Sequence, residues 1–190
     1  MNIHLIQSHS LFGPPERQDE LRECWRLNKE LFDEQTNFVG RLTLKELFAM
    51  CKPDTVNVLA NSDIAFDETI ALAKSIAPGE CYALTRWENG VLYNAGYQSQ
   101  DVWIISGGPH DVDAPWPMGT PGIDNRLVHT IRGSGIVVNN PSKSIRCHHM
   151  HAVQWRSYLA DPAGKLVIGD KIFRIPPPYD FVWPSELAMK

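Results

Sequence analysis

The stretch TVNVLANSDIAFDE, residues 55–68, decides how the chain is read. A largely apolar run over residues 56–60 stops abruptly at Asn61-Ser62-Asp63, and a second acidic pair follows at Asp67-Glu68. A short apolar run bounded in this way is the pattern of a buried strand. In open parallel sheets, ligands bind just beyond the carboxyl ends of the strands. The carboxylate of Asp63, two residues past Ala60, therefore has two readings. It caps the next helix, or it holds a divalent metal that bridges a diphosphate.

Upstream, NIHLIQ (residues 2–7) reads as a first strand, closed by the turn-prone SHSLFGPP, and a helix starts at Pro15. Leu21, Cys24, Trp25, Asn28, Leu31 and Phe32 fall on one stripe at helical spacing, with Arg22, Glu23, Arg26 and Lys29 facing away. Asn28 is the polar member of that stripe: a hydrogen-bonded core amide, or a group beside a ligand. NFVGRL reads as a second short strand. Thr43 and Glu46 then make a capping box at the start of TLKELFAM. Asp67 is placed to cap a helix over residues 68–76. The order β-α-β-α-β-α over the first 77 residues calls for a mainly parallel sheet with helices on its faces.

After Pro78-Gly79 the pattern changes. CYALTRW and DVWIIS are strand-like. Residues 107–122, GGPHDVDAPWPMGTPG, carry four prolines and four glycines and make a long irregular loop, a length that usually serves function. A helix over residues 123–132 follows, then the strands IVVN and SIRCHHMH. The end of the chain holds one hairpin and an extended, proline-braced segment. The expectation is one α/β domain over residues 1–190, its mixed sheet mainly parallel, with residues 159–190 as a hairpin and extended tail.

At 190 residues the chain can build one sizeable core. A net charge of −4 argues against a broad electrostatic grip on nucleic acid or on an anionic membrane. No apolar stretch approaches the ~20 residues that span a bilayer, and the first residues lack the pattern of a signal peptide. Cys24, Cys51, Cys81 and Cys147 stand far apart and read as free thiols, so a cytoplasmic location is expected.

Three segments can carry chemistry. Asp63 is a hard oxygen ligand for Mn²⁺ or Mg²⁺. In CHHMH, strand periodicity puts Cys147, His149 and His151 on one face and His148 and Met150 on the other. The two imidazoles suit a transition metal, and Cys147 reads as a buried small hydrophobe. In PGIDNRLVHTIRGSG, Asp124 lies at a helix start beside the long loop, where a carboxylate serves as a base or only caps the helix. Asp101, at the start of the strand DVWIIS, reads as a catalytic carboxylate or a turn residue.

The succession ERQDELRECWRLN, RLTLKELF, ANSDIAFDETI, ALTRWE, SQDVWI, MGTPGIDNRL, NPSKSI and HMHAVQWRSY resembles a small GT-A-fold glycosyltransferase, of the compact bacterial and viral kind, over most of residues 16–158. The resemblance implies a Rossmann-like domain in which Asp63 is the last carboxylate of a DxD-like motif, ligating a divalent cation on the diphosphate of a sugar nucleotide. Asn61 stands where the motif has its first aspartate, which removes one negative ligand. His149 or His151 would complete the metal site, and Asp124 would be the base of inverting members. Arg86 and Asp101 would line the sugar pocket. Gln7, at the end of the first strand, would join Asn61, Asp63 and Arg86 on the donor side. The implied partners are a nucleotide-sugar donor and a hydroxyl acceptor, a saccharide in preference to nucleic acid.

Such a reaction builds negative charge on the leaving diphosphate, which a cation or a guanidinium offsets, and it needs a carboxylate to take the proton of the acceptor. The long loop before Asp124 would act as an acceptor-binding lid. Two rivals stand beside this reading. One is a hydrolase in which Asp63, His149 and His151 hold Zn²⁺. The other is a module that binds a sugar nucleotide without turnover.

Overall fold

The computed structural model describes residues 1–153, 159–160, 165–168 and 171–188. Its strands are β1 (Asn2–Ser8), β2 (Glu34–Phe38), β3 (Thr55–Ala60), β4 (Ile64–Phe66), β5 (Glu80–Leu84), β6 (Trp87–Glu88), β7 (Val91–Leu92), β8 (Val102–Ser106), β9 (Val137–Asn139), β10 (Cys147–His149), β11 (Leu159–Ala160), β12 (Lys165–Ile168) and β13 (Lys171–Arg174). The α-helices are α1 (Pro15–Asn28), α2 (Leu44–Ala49) and α3 (Ile123–Gly133). The principal sheet has the order β2-β1-β3-β8-β5-β9. Its pairs β1–β2, β1–β3 and β5–β9 are parallel, while β8 runs antiparallel to both neighbours. The sheet is mixed and mainly parallel, as the alternating pattern requires. The tail contains the expected hairpin, β12–β13, which also pairs with β11.

Period-2 alternation builds a core on each face of this sheet. Leu59, Cys81, Ala83, Trp103 and Ile105 point to the side covered by α2, α3 and the tail residues Ile175 and Val182. Val56, Val58, Ala60, Tyr82, Leu84, Val102 and Ile104 point the other way, onto β4, Ile70, Ile76 and Cys147. Every residue of β3 is buried, which is why its sequence is an apolar run. All four cysteines are buried free thiols. Among the described residues, no helix is long and apolar enough to cross a membrane.

A second sheet, β4-β10-β6-β7, was outside the sequence reading except for β10. The three residues of β4 are too short a run to show a period. The β6–β7 hairpin turns at Asn89-Gly90, both at positive φ, the pairing that fits strand twist in a two-residue turn. Two elements differ from expectation. β2 lies earlier than NFVGRL placed it, because Gly40 at φ +99 takes the chain out of the sheet after Phe38. Residues Glu68–Ser75 wind as a 3₁₀ rather than an α-helix, with Asp67 capping Thr69 N–H. The Thr43–Glu46 capping box forms in full.

Two buried polar groups lock the sheet to its surroundings. Asn28 is fully buried at the end of α1. Its amide donates to Gln7 Oε1 (3.1 Å) and Ile64 C=O (2.9 Å) and accepts from Phe66 N–H (3.0 Å), so it is the core amide the helical stripe called for. His4, also fully buried, contacts Asn57 Oδ1 through Nδ1 (2.9 Å) and Thr36 Oγ1 through Nε2 (2.7 Å). Asn57 Oδ1 also accepts from Lys52 N–H while Nδ2 donates to three carbonyls, which fixes the amide orientation. The proton of His4 therefore sits on Nδ1, and Nε2 accepts from Thr36. Burial, aided by the charge of Lys52, holds this imidazole below its ordinary value, against the Asn57 hydrogen bond and Glu34.

Two outcomes follow for stability. Asn28→Ala strands Gln7 Oε1 and Phe66 N–H, leaving Ile64 C=O to Gln7 alone, and should lower unfolding free energy by about 2–4 kcal/mol in urea melts. A loss no larger than that of an exposed substitution would show that the amide is not a tie. For His4 the unfolded chain binds the proton first as pH falls. Stability should therefore decline as pH drops below about 6.5, with a shallower decline in His4→Gln. Equal slopes in the two proteins would exclude His4 as the source.

Candidate functional site

The reversal of β8 creates the site. Residues after β3 and β5 leave the sheet at its carboxyl edge, and Ala60 and Leu84 both stand opposite Val102. Asp101, just before antiparallel β8, therefore emerges at the same edge as Asn61 and Arg86. A cleft of about 1020 Å³ opens there, lined by Ser8, Asn61, Asp63, Arg86, Asp101 and His149, among others.

At one end lies Asp63. The turn that carries it is shaped from below by Gln7, whose Nε2 donates to Asn61 C=O (2.8 Å) and Ile64 C=O (3.0 Å). Gln7 is fully buried and does not line the cleft, so its expected contact with a donor is corrected to a structural tie. His149, last residue of β10, puts Nε2 3.3 Å from Asp63 Oδ2, and His151 Nδ1 lies 3.6 Å from the same oxygen. The two imidazoles stack with centroids 5.0 Å apart. His148 turns to the other face and meets Asp67 at 2.9 Å, as strand alternation requires. Cys147 is buried in the core below, its thiol pushed up by burial.

Burial favours the neutral form of Asp63, but the His149 hydrogen bond, the nearby His151 and the charge of Arg17 outweigh it and hold the carboxyl well below the usual range. Burial likewise depresses His149, and its bond to Asp63 more than reverses the effect. One carboxylate and two imidazole nitrogens lie within 4.8 Å of one another. His151 Nδ1 is buried without a hydrogen-bond partner, a lone donor atom aimed into the cluster. This oxygen–nitrogen set fits a divalent transition metal. The two imidazoles count against Mg²⁺, which prefers oxygen.

Arg17 is the residue that sequence reasoning missed. It is 1% exposed on the inner face of α1. Nη2 donates to Asp63 Oδ2 (2.5 Å), and Nη1 donates to Glu20 Oε2 (2.7 Å) and Met150 C=O (2.5 Å). The signal was present: Arg17 stands four residues before Leu21, on the same stripe that continues to Cys24 and Asn28.

The other end of the cleft is an ion-pair chain. Arg86 donates to Glu88 Oε1 (2.6 Å), Ser99 Oγ (2.6 Å) and Asp101 Oδ2 (3.1 Å), and stacks over Tyr93 at 4.2 Å. Glu88 also lies 3.4 Å from His149 Nδ1, which connects the two ends. Asn61 Nδ2 donates to Asp101 Oδ1 at 3.0 Å. That bond gives a physical reason for asparagine at this position, since a carboxylate there would face Asp101 with like charge.

Asp124 does not cap α3. Gly122, at φ +81, occupies the capping position and makes no side-chain cap. Instead the carboxyl of Asp124 accepts from the Gln100 backbone. Burial, reinforced by the charge of Asp101, pushes it well above the ordinary carboxylate range. It stands behind Asp101, outside the residues that line the cleft. Residues 107–122 form a wall rather than the expected lid. Trp116, Ala114 and Phe48 carbonyls accept from Leu44, Lys45 and His110, and Val112 and Ala114 are buried. Only Met118 and Gly119 of this loop reach the cleft.

The chain matches no protein-family model, no curated protein and no solved structure.

The cluster makes a direct forecast. A ligand held only by the folded state raises stability by about 2.7 kcal/mol at a hundredfold excess over Kd. Mn²⁺ should raise the melting temperature of the native chain and leave that of Asp63→Asn unchanged. Asp63→Asn should also melt lower without metal, because Arg17 loses one of its two carboxylate partners. An equal Mn²⁺ shift in both proteins would place the ion elsewhere.

Proposed function

We propose that the chain is a metal-dependent glycosyltransferase that moves a sugar from a nucleotide-diphosphate donor to an acceptor hydroxyl, on a single domain like the GT-A fold. The observation that carries the reading is the convergence of Asp63, His149 and His151 with Asn61, Arg86 and Asp101 on one cleft, at the carboxyl edge of a mainly parallel sheet. These residues lie far apart in sequence, and all but Gln7 and Asp124 of the expected set line the same cavity. Its volume suits a ligand the size of a sugar nucleotide.

In this reading Asp63, His149 and His151 hold Mn²⁺, which supplies positive charge to the diphosphate oxygens. The two imidazoles and Arg17 keep the Asp63 carboxylate ionised, and Arg17 holds it in place. Arg86, braced by Glu88, Ser99 and Asp101, presents a fixed guanidinium edge to the donor. Asp101 faces the cleft and orients the acceptor or sugar hydroxyl. Asp124, behind it, has its affinity for a proton raised by burial and by the charge of Asp101, and is assigned the role of base.

The donor set of one carboxylate and two imidazoles also matches hydrolytic zinc sites, which keeps a zinc hydrolase as the second reading. A thermal-shift screen of nucleotide sugars with and without Mn²⁺ separates the two, followed by transfer assays on the donor that binds. Under the transferase reading a donor stabilises the chain only with Mn²⁺, and Asp124→Asn lowers transfer by about 10²–10⁴-fold with donor affinity nearly unchanged. Tightly held zinc with no nucleotide-sugar affinity would overturn it. Loss of transfer in Asp101→Asn with full activity in Asp124→Asn would make Asp101 the sole base.

A further inference from the structure

His151 is the least supported member of the metal cluster by the sheet itself. β10 ends at His149, and its pairing with the β4 side closes one residue later, where Met150 N–H donates to Asp63 C=O at 2.9 Å. What holds His151 comes from α1. On its amino-terminal side, Met150 C=O accepts from Arg17 Nη1 at 2.5 Å. On its carboxyl-terminal side, Ala152 N–H and Val153 N–H both donate to Glu20 Oε1 at 2.9 Å. Arg17 and Glu20 are themselves joined at 2.7 Å, one helical turn apart. One pair on α1 thus grips the backbone immediately before and after His151, and the same Arg17 grips Asp63.

We infer that Glu20 is a positioning residue for the metal centre: with Arg17 it clamps the segment around His151 so that Nδ1 is presented to the ion beside Asp63. The inference rests on the metal site of the proposed function and assigns no ligand role to Glu20. Its carboxylate is occupied, with Oε2 on Arg17 and Oε1 on two backbone N–H groups. Burial raises this carboxyl, but those bonds prevail and hold it below its ordinary value, as a group committed to such contacts requires. The geometry has a specific consequence. Glu20 should affect metal binding chiefly through His151, because its carboxylate holds the backbone just after that residue and reaches Asp63 only by way of Arg17.

A double-mutant cycle on Mn²⁺ affinity, read by electron paramagnetic resonance of the free ion, tests this. Glu20→Ala should weaken Mn²⁺ by about 10–100-fold, the usual effect of removing a group that orients a ligand. In a His151→Ala background the same substitution should weaken Mn²⁺ clearly less, the remainder reporting the path through Arg17 to Asp63. Glu20→Gln, whose amide oxygen still accepts from both N–H groups, should recover much of the affinity, and it serves as the folded variant should Glu20→Ala fail to fold. Additive effects of Glu20 and His151 substitutions, or Glu20→Gln and Glu20→Ala both at native affinity, would overturn the clamp while leaving the metal site intact. Native protein that binds no Mn²⁺ overturns the metal site itself and the clamp with it.

Discussion

A buried guanidinium meeting a carboxylate at the end of β3 is the constraint on which the site depends. Removing both charges from water costs several kcal/mol for each ion, and the cost is offset only when every donor and acceptor finds a partner. Arg17 meets most of that demand through Asp63, Glu20 and Met150 C=O, with only Nε left unpartnered. In doing so it ties together three parts of the chain that the sheet alone would leave independent: the first turn of α1, the Asn61–Asp63 turn and the end of β10. Asn28, three turns further along α1, fixes β4 from the same helix. One face of α1 therefore sets the geometry of the whole Asp63 end of the cleft.

Much of this was legible in the sequence because it rests on periodicity or on local chemistry. The strand-like apolar runs in residues 102–105 and 56–60 correspond to strands buried on both faces. The Thr43–Glu46 box and the Asn28 position on the stripe were readable for the same reason: each is decided within a turn or two of helix. Alternation in CHHMH separated His148 from His149 and His151 correctly. The joining of Asp63 to those imidazoles was also expected, although it depends on pairing across 86 residues. It was suggested by the order of the segments and not by any one of them.

What escaped the reading depends on long-range geometry. Nothing local to DVWIIS tells that β8 runs against its neighbours, yet that reversal is what brings Asp101 to the ligand edge. Gln7 looked like a group at a strand end open to ligand; tertiary contacts with Asn28, Asn61 and Ile64 turned it inward. Asp124 resembled a capping residue, but Gly122 took that position and left the carboxyl half-buried behind Asp101. Residues 107–122 looked free because prolines and glycines bar regular structure. Backbone hydrogen bonds to residues 42–48 pin them without any regular pattern to predict it. Arg17 was passed over because an arginine on an apolar stripe is ordinarily a surface residue.

The cleft that results is electrically asymmetric. One end is a carboxylate with two imidazoles and a buried arginine; the other is Arg86 held by Glu88 and Asp101, with a carboxyl of raised proton affinity behind it. An anionic ligand bridging a cation at the first end and a guanidinium at the second would use both. The most direct test is anomalous diffraction at the manganese edge from crystals grown with Mn²⁺ and a nucleoside diphosphate. The account predicts one ion about 2.0–2.2 Å from an Asp63 oxygen and from His149 and His151 nitrogens, with phosphate oxygens completing its shell. Manganese bound without contact to Asp63, or a diphosphate bound away from this ion, would contradict it.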